Sequence, residues 1–165
     1  MELLRNLGRR KLRSTLTTKG GMSVTGRTSQ WRRLPTVARV AMATEVLIGI
    51  GALFGGGQFI LAPDGHLLGI SVSVLSHSPF SSFFVPGLVL FAVIGIGPIA
   101  AAILTYRQPS TAPLAAVLVG VILMGWVTVE MVMLAGPTSL LWALYLVLGT
   151  GLAALGLGSS KGAAT

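Results

Sequence analysis

The chain of 165 residues is 53% apolar and only 10% charged, with a mean hydropathy of +0.84. Soluble domains carry about 25% charged residues, so too few charges remain to cover a water-facing surface, and the class is integral membrane. The net charge of +8 is concentrated between Arg5 and Arg39, ahead of the first long apolar run, which suits cytoplasmic retention and contact with anionic lipids; without interleaved aromatics it does not suit nucleic acid.

Residues 1–37 read as a basic cytoplasmic tail. Leu3, Leu4, Leu7 and Leu12 are interspersed with Arg5, Arg9, Arg10, Lys11 and Arg13, the composition of a short amphipathic helix lying on a membrane. The run LRNLGRRKLRSTLT resembles the cytoplasmic helix that leads into the first span of bacterial ABC permeases of the lipoprotein-release and macrolide-efflux kind. This resemblance covers residues 1–17 and implies an accessory role beside an ABC exporter. Here the run meets Thr18-Lys19-Gly20-Gly21 instead of an apolar span, and Met22 is an alternative initiator. Met22 to Thr36 is rich in Ser, Thr and Arg and is expected to be disordered away from the bilayer.

The membrane domain is expected over residues 38–158, with spans at about 40–61, 85–106, 113–134 and 139–157. At about 1.5 Å per residue, Val40–Leu61 makes a helix of roughly 33 Å, against a hydrocarbon core of about 30 Å. Ala62-Pro63-Asp64-Gly65 is a turn signal, in which Pro presets φ and Gly permits a positive value. Residues 66–84 interleave Ser with apolar positions, match helix and strand periods about equally, and read as an interfacial segment, a cap or a re-entrant element. In span two, Pro98 removes a donor and frees the carbonyl of Ile94, so a kink is expected there. Gln108 to Ala112 and Ala135 to Thr138 are short turns, with Thr138 or Ser139 as N-cap of span four. Residues 159–165 form a short tail.

The segments before span one, between spans two and three, and after span four hold all the positive charge; residues 62–84 and 135–138 hold none. An even number of spans puts every basic segment on one side. The expected fold is an all-α membrane protein, a four-transmembrane-helix bundle with both termini cytoplasmic and an interfacial extracytoplasmic segment between spans one and two.

Two acids inside the spans need explaining. Glu45 tops a stripe of small residues, Gly49, Ala52 and Gly56, which lie within about 40° of it at 100° per residue and invite close helix packing. It reads either as a proton or cation site or as an interfacial carboxylate paired with Arg39 or a tail arginine, and its closeness to the inner boundary favours the second. Glu130 lies roughly 25 Å along span three, with Trp126 one turn earlier on the same face and Gln58 of span one at similar depth. It reads either as part of a polar site formed with Gln58 and loop residues, or as an interhelical hydrogen bond joining spans one and three, the latter favoured. The two acids sit at opposite depths, about 20 Å apart by rise, too far for joint acid–base work.

Cofactor and metal motifs are missing. Gly55-Gly56-Gly57 and Gly95-Ile96-Gly97 lie inside apolar spans and follow no strand, and Asp64, His66 and His77 lack catalytic or ligand spacing. With cysteine also absent, disulfides, thiolate metal sites and thiol catalysis are excluded. The Gly-rich first span, the loop PDGHLLGI followed by SPFSSFFVPG, and Trp126 with an acid one turn later resemble small four-span bacterial integral membrane proteins. That resemblance covers residue 38 onward, implies a location in the bacterial plasma membrane, and carries no activity with it. Three roles follow as expectations. The first is a non-enzymatic protein packing with itself or a membrane partner through its small faces, Gly49/Ala52/Gly56, Ala116/Gly120 and Gly149/Ala153. The second is a small proton- or cation-coupled transporter or channel-like protein using Glu130, with Glu45 as a further candidate. The third is the ABC-exporter accessory.

Overall fold

The computed structural model describes residues 34–134 and 140–162. The calls for an amphipathic tail, a tail arginine beside Glu45, the 135–138 turn and the Thr138 or Ser139 cap lie outside them. The described residues are mostly helical, with no strand, and contain four helices long and apolar enough to cross a membrane. They are α1 (Thr36–Leu61), α2 (Phe84–Arg107), α3 (Ala112–Met133) and α4 (Leu140–Gly162).

The helix ends differ from the sequence reading. α1 begins four residues ahead of Val40, directly after Pro35, whose extended backbone (φ −53°, ψ 146°) cannot continue a helix. α4 runs past residue 157, since its small-residue end holds no proline to stop it and the Ser159 hydroxyl folds back onto the Leu155 carbonyl at 2.6 Å.

The four helices alternate in direction and associate as two close pairs, each held by glycines. At Gly56 an added Cβ would lie 2.6 Å from the Phe91 nitrogen and 2.8 Å from the Gly87 oxygen, both backbone atoms of α2. At Gly49 it would lie 2.8 Å from the Gly95 oxygen. The α1 stripe is therefore the seat of α2, glycine against glycine, and Ala52 between them is buried. The second pair repeats the device: a Cβ at Gly120 of α3 would collide with the Gly149 carbonyl and lie 2.8 Å from the Ala153 nitrogen, both of α4. The α1 stripe seats α2 alone, although α1 also touches α3 and α4; α1 with α2 is the most extensive pair, and α3 with α4 the next. Ile48, Ala52, Ile94, Val119, Leu123 and Leu152 join the two pairs in one apolar core.

α2 is not uniformly α-helical. Phe84–Val89 and Gly97–Arg107 are α-helix, but Leu90–Ile96 between them is π-helix. Pro98 follows directly, and the wider turns rearrange the carbonyls that its missing N–H and ring would disturb. The sequence placed a disturbance here through Pro98, and it takes the form of these π turns.

Residues 62–83 are helical only in two 3₁₀ turns, His66–Leu68 and Val72–Leu75. Gly65 closes the predicted turn with φ +81° and its N–H on the Ala62 carbonyl at 2.9 Å. The segment is tied down at both ends. The Phe83 N–H donates to the Pro63 carbonyl at 2.8 Å, and the Phe59 and Phe83 rings stack with centroids 4.6 Å apart. Leu75 and Phe83 are buried, while the serines face outward or bond one another.

Candidate functional site

Beneath that loop is a cavity of about 600 Å³, within the range of about 300–1,000 Å³ typical of small-molecule sites. All four helices and the loop contribute to it. α1 supplies Gly51, Ala52, Gly55 and Phe59; the glycines leave the room, and Phe59 closes the top beside Phe80 and Phe83. Leu90 and Ile94, both within the π-helical stretch, line the α2 side. Trp126 and Glu130 of α3 face Trp142 and Tyr145 of α4. Among the described lining residues, Glu130 is the one with a carboxylate, and none is Lys or Arg.

Glu130 is held in place by indoles. Trp126 Nε1 donates to Glu130 Oε1 at 2.6 Å, the i to i+4 spacing that put both on one face in the sequence. The Trp142 indole supplies a second hydrogen bond, from α4. The acid therefore joins α3 to α4, and the expected bond to Gln58 of α1 does not form. The Gln58 amide nitrogen is buried without a hydrogen-bond partner. Its depth matched, but Gln58 lies about 100° around α1 from Phe59, which is the residue at that depth turned to the cavity.

Glu45 is elsewhere, and of its expected partners only Arg39 lies within the described residues. It has 0% exposure, and among the described residues neither carboxylate oxygen has a hydrogen-bond partner. Arg39 does not reach it; the Arg39 guanidinium donates to Thr36 Oγ1 at 3.1 Å. Glu45 shares a face with Ala41, Ile48 and Ala52, so helix rotation carries it into the bundle instead of toward the boundary. The Thr105 hydroxyl of α2 is likewise buried and unpartnered. Ala52 touches the cavity and Glu45 lies about 10 Å further along α1, with the fully buried Ile48 between them.

Two of the loop's titratable groups, Asp64 and His66, pair within its first turn. Asp64 Oδ1 meets His66 Nδ1 at 2.6 Å and also accepts the His66 backbone N–H, with both side chains 66% exposed. These bonds, the imidazole's first, hold the Asp64 carboxyl below its usual range. A lowered carboxyl pKa adds stability above the unfolded value, and that contribution is lost as pH falls through the folded one. Carbon-13 NMR should therefore place the Asp64 midpoint below 3.8, and His66→Ala should move it upward; an unmoved midpoint would remove the imidazole as the cause. His77 meets only its neighbour Ser76, at 3.4 Å. Among the described residues no group of three or more His, Cys, Asp or Glu is placed to hold a metal.

Trp142 and Tyr145 sit near the start of span four, where aromatics ordinarily mark the membrane boundary, so their residue type alone does not point to a site. Their spacing of three, which puts both on one face of α4, is the signal that could have placed them in the site. No protein-family model, curated protein or solved structure matches this chain.

Proposed function

We propose that the protein is a non-enzymatic multi-pass protein of the bacterial plasma membrane, of the small transporter or channel-like kind, which binds a cation at Glu130 and moves it through the bundle. The observation that carries this reading is the cavity itself, with one carboxylate fixed by two tryptophans in an otherwise apolar wall. Acids inside membrane spans are costly and are retained where a charge or proton must be handled. Below the cavity the buried layer of Ile48, Val119 and Leu152 closes the bundle, and Glu45 lies beyond it as a second acid on the same route.

The competing reading is self-packing or partner-binding through small faces, and an observation weighs against those faces being the contact. The stripes at Gly49/Gly56 and Gly120/Gly149 are all occupied within the chain. The outer surface that remains is large and aliphatic, with Leu140 86% and Val147 69% exposed, as contact with lipid tails requires. Arg39 and Arg107 lie at the end of the bundle away from the loop, which supports a cytoplasmic position for that end and for both termini. On that reading anionic lipids of the same leaflet are the proposed partners of the basic tail's charge.

Proteoliposomes loaded with a pH- or cation-sensitive dye test the reading. The wild type should pass protons or a monovalent cation above the rate of empty vesicles, and Glu130→Gln should reduce that flux at least about tenfold. Flux no higher than in empty vesicles, or flux that Glu130→Gln leaves unchanged, would overturn it.

A further inference from the structure

We infer that the ligand of the Glu130 cavity is a hydrophobic organic cation, a substituted ammonium carried on an apolar body. The inference rests on the cation reading above and narrows it from charge to chemical class.

The walls decide between classes of cation. A hydrated inorganic ion entering a protein site needs its water replaced by oxygen ligands, six to eight for a calcium-sized ion. Glu130 is the one carboxylate among the described lining residues, and most of the remainder is aliphatic or aromatic. Such a wall cannot rebuild a hydration shell. An alkylammonium has no shell of comparable strength to lose, and its carbon surface gains from burial against the same wall.

The aromatic residues are also the right ones. Trp126 and Trp142 lie at the carboxylate, Tyr145 lines the same cavity with its hydroxyl toward Gly51, and Phe59, Phe80 and Phe83 line the loop side. The faces of such rings attract cations that shed water easily, with Trp the strongest, and quaternary ammonium groups are the usual beneficiaries. The two indole N–H groups point at Glu130, so they fix the acid's position without neutralising it. The charge of the ligand has one place to go, and its apolar body is left the volume along Gly51 and Gly55, which is bordered by Tyr145 and Leu90.

An anion would meet the carboxylate with no compensating Lys or Arg in the described lining. A neutral lipid tail would satisfy the walls but leave no reason for the acid. The same ammonium chemistry is offered by a free amphiphile and by an aminophospholipid headgroup, and both sources enter the test.

The experiment uses the full chain in nanodiscs of anionic phosphatidylglycerol, with intrinsic tryptophan fluorescence as readout. Hexyltrimethylammonium should quench it saturably. Its neutral quaternary-carbon isostere should bind at least about tenfold more weakly, a comparison that needs no variant and no assumption about folding. Glu130→Gln should weaken the cation by a similar factor and leave the isostere unchanged. Trp142→Leu should weaken the cation about three- to tenfold. Repeating the titration with phosphatidylethanolamine in the disc separates the sources, since competition assigns the site to a lipid headgroup and its absence to a soluble amphiphile.

Equal affinity for the cation and its isostere, or an unchanged cation affinity in Glu130→Gln, would overturn the inference. The parent reading is judged by flux instead. Proton flux that Glu130→Gln abolishes, together with equal binding of cation and isostere, would sink the organic-cation class alone.

Discussion

Replacing Gly56 with leucine is expected to separate α1 from α2 and destabilise the protein by about 3 kcal/mol or more. A Cβ there would lie 2.6 Å from the Phe91 nitrogen and 2.9 Å from its Cα. These are backbone atoms of a helix and cannot turn aside as a side chain would. Gly56→Ala meets the same atoms and should cost about 1–3 kcal/mol. The adjacent residue supplies the control. At Gly57 a Cβ would lie 3.9 Å from the Phe91 ring, an ordinary contact, so Gly57→Ala should stay within about 0.5 kcal/mol of the wild type. Thermal unfolding in nanodiscs, followed by circular dichroism, reads all three. Equal behaviour of Gly56→Ala and Gly57→Ala would mean that the helices do not approach as described.

That contrast shows what could be read from the sequence. The spans themselves were legible because a long apolar run admits few other structures, and the four helices appear where hydropathy placed them. The small faces were legible too, since Gly49, Ala52 and Gly56 recur at helical spacing. Their partner was not, because a stripe of glycines announces a close neighbour without naming it. The site divides in the same way. Trp126 and Glu130 share a helix, so local spacing found them. Gln58 was matched to Glu130 by depth alone, and depth says nothing about rotation about the helix axis. Trp142 and Tyr145 carry the composition of a membrane-boundary belt, and only the docking of α4 on α3 through Gly149 and Gly156 turns that face inward. Glu45 was placed by depth as well: of its expected partners Arg39 does not pair with it, and the tail arginines lie outside the described residues.

The two intramembrane acids should therefore respond to one substitution with opposite signs. Glu45→Met replaces a carboxyl that is wholly buried and, among the described residues, without hydrogen bonds by an apolar chain of similar size. Burying such a group without a partner costs about 1–3 kcal/mol, so the variant should be more stable by a comparable amount. Glu45→Gln should gain far less, since the amide would be equally unpartnered. Glu130→Met, in contrast, strips the acceptor from the Trp126 and Trp142 indoles and should destabilise the protein by about 1–3 kcal/mol. Urea or thermal unfolding in nanodiscs measures both. A loss of stability in Glu45→Met would mean that the carboxylate has a partner, and the arginines of residues 1–33 would be the first to substitute. A gain in stability accompanied by loss of flux gives Glu45 its reason to exist: a carboxyl that weakens the fold persists only where the protein uses it.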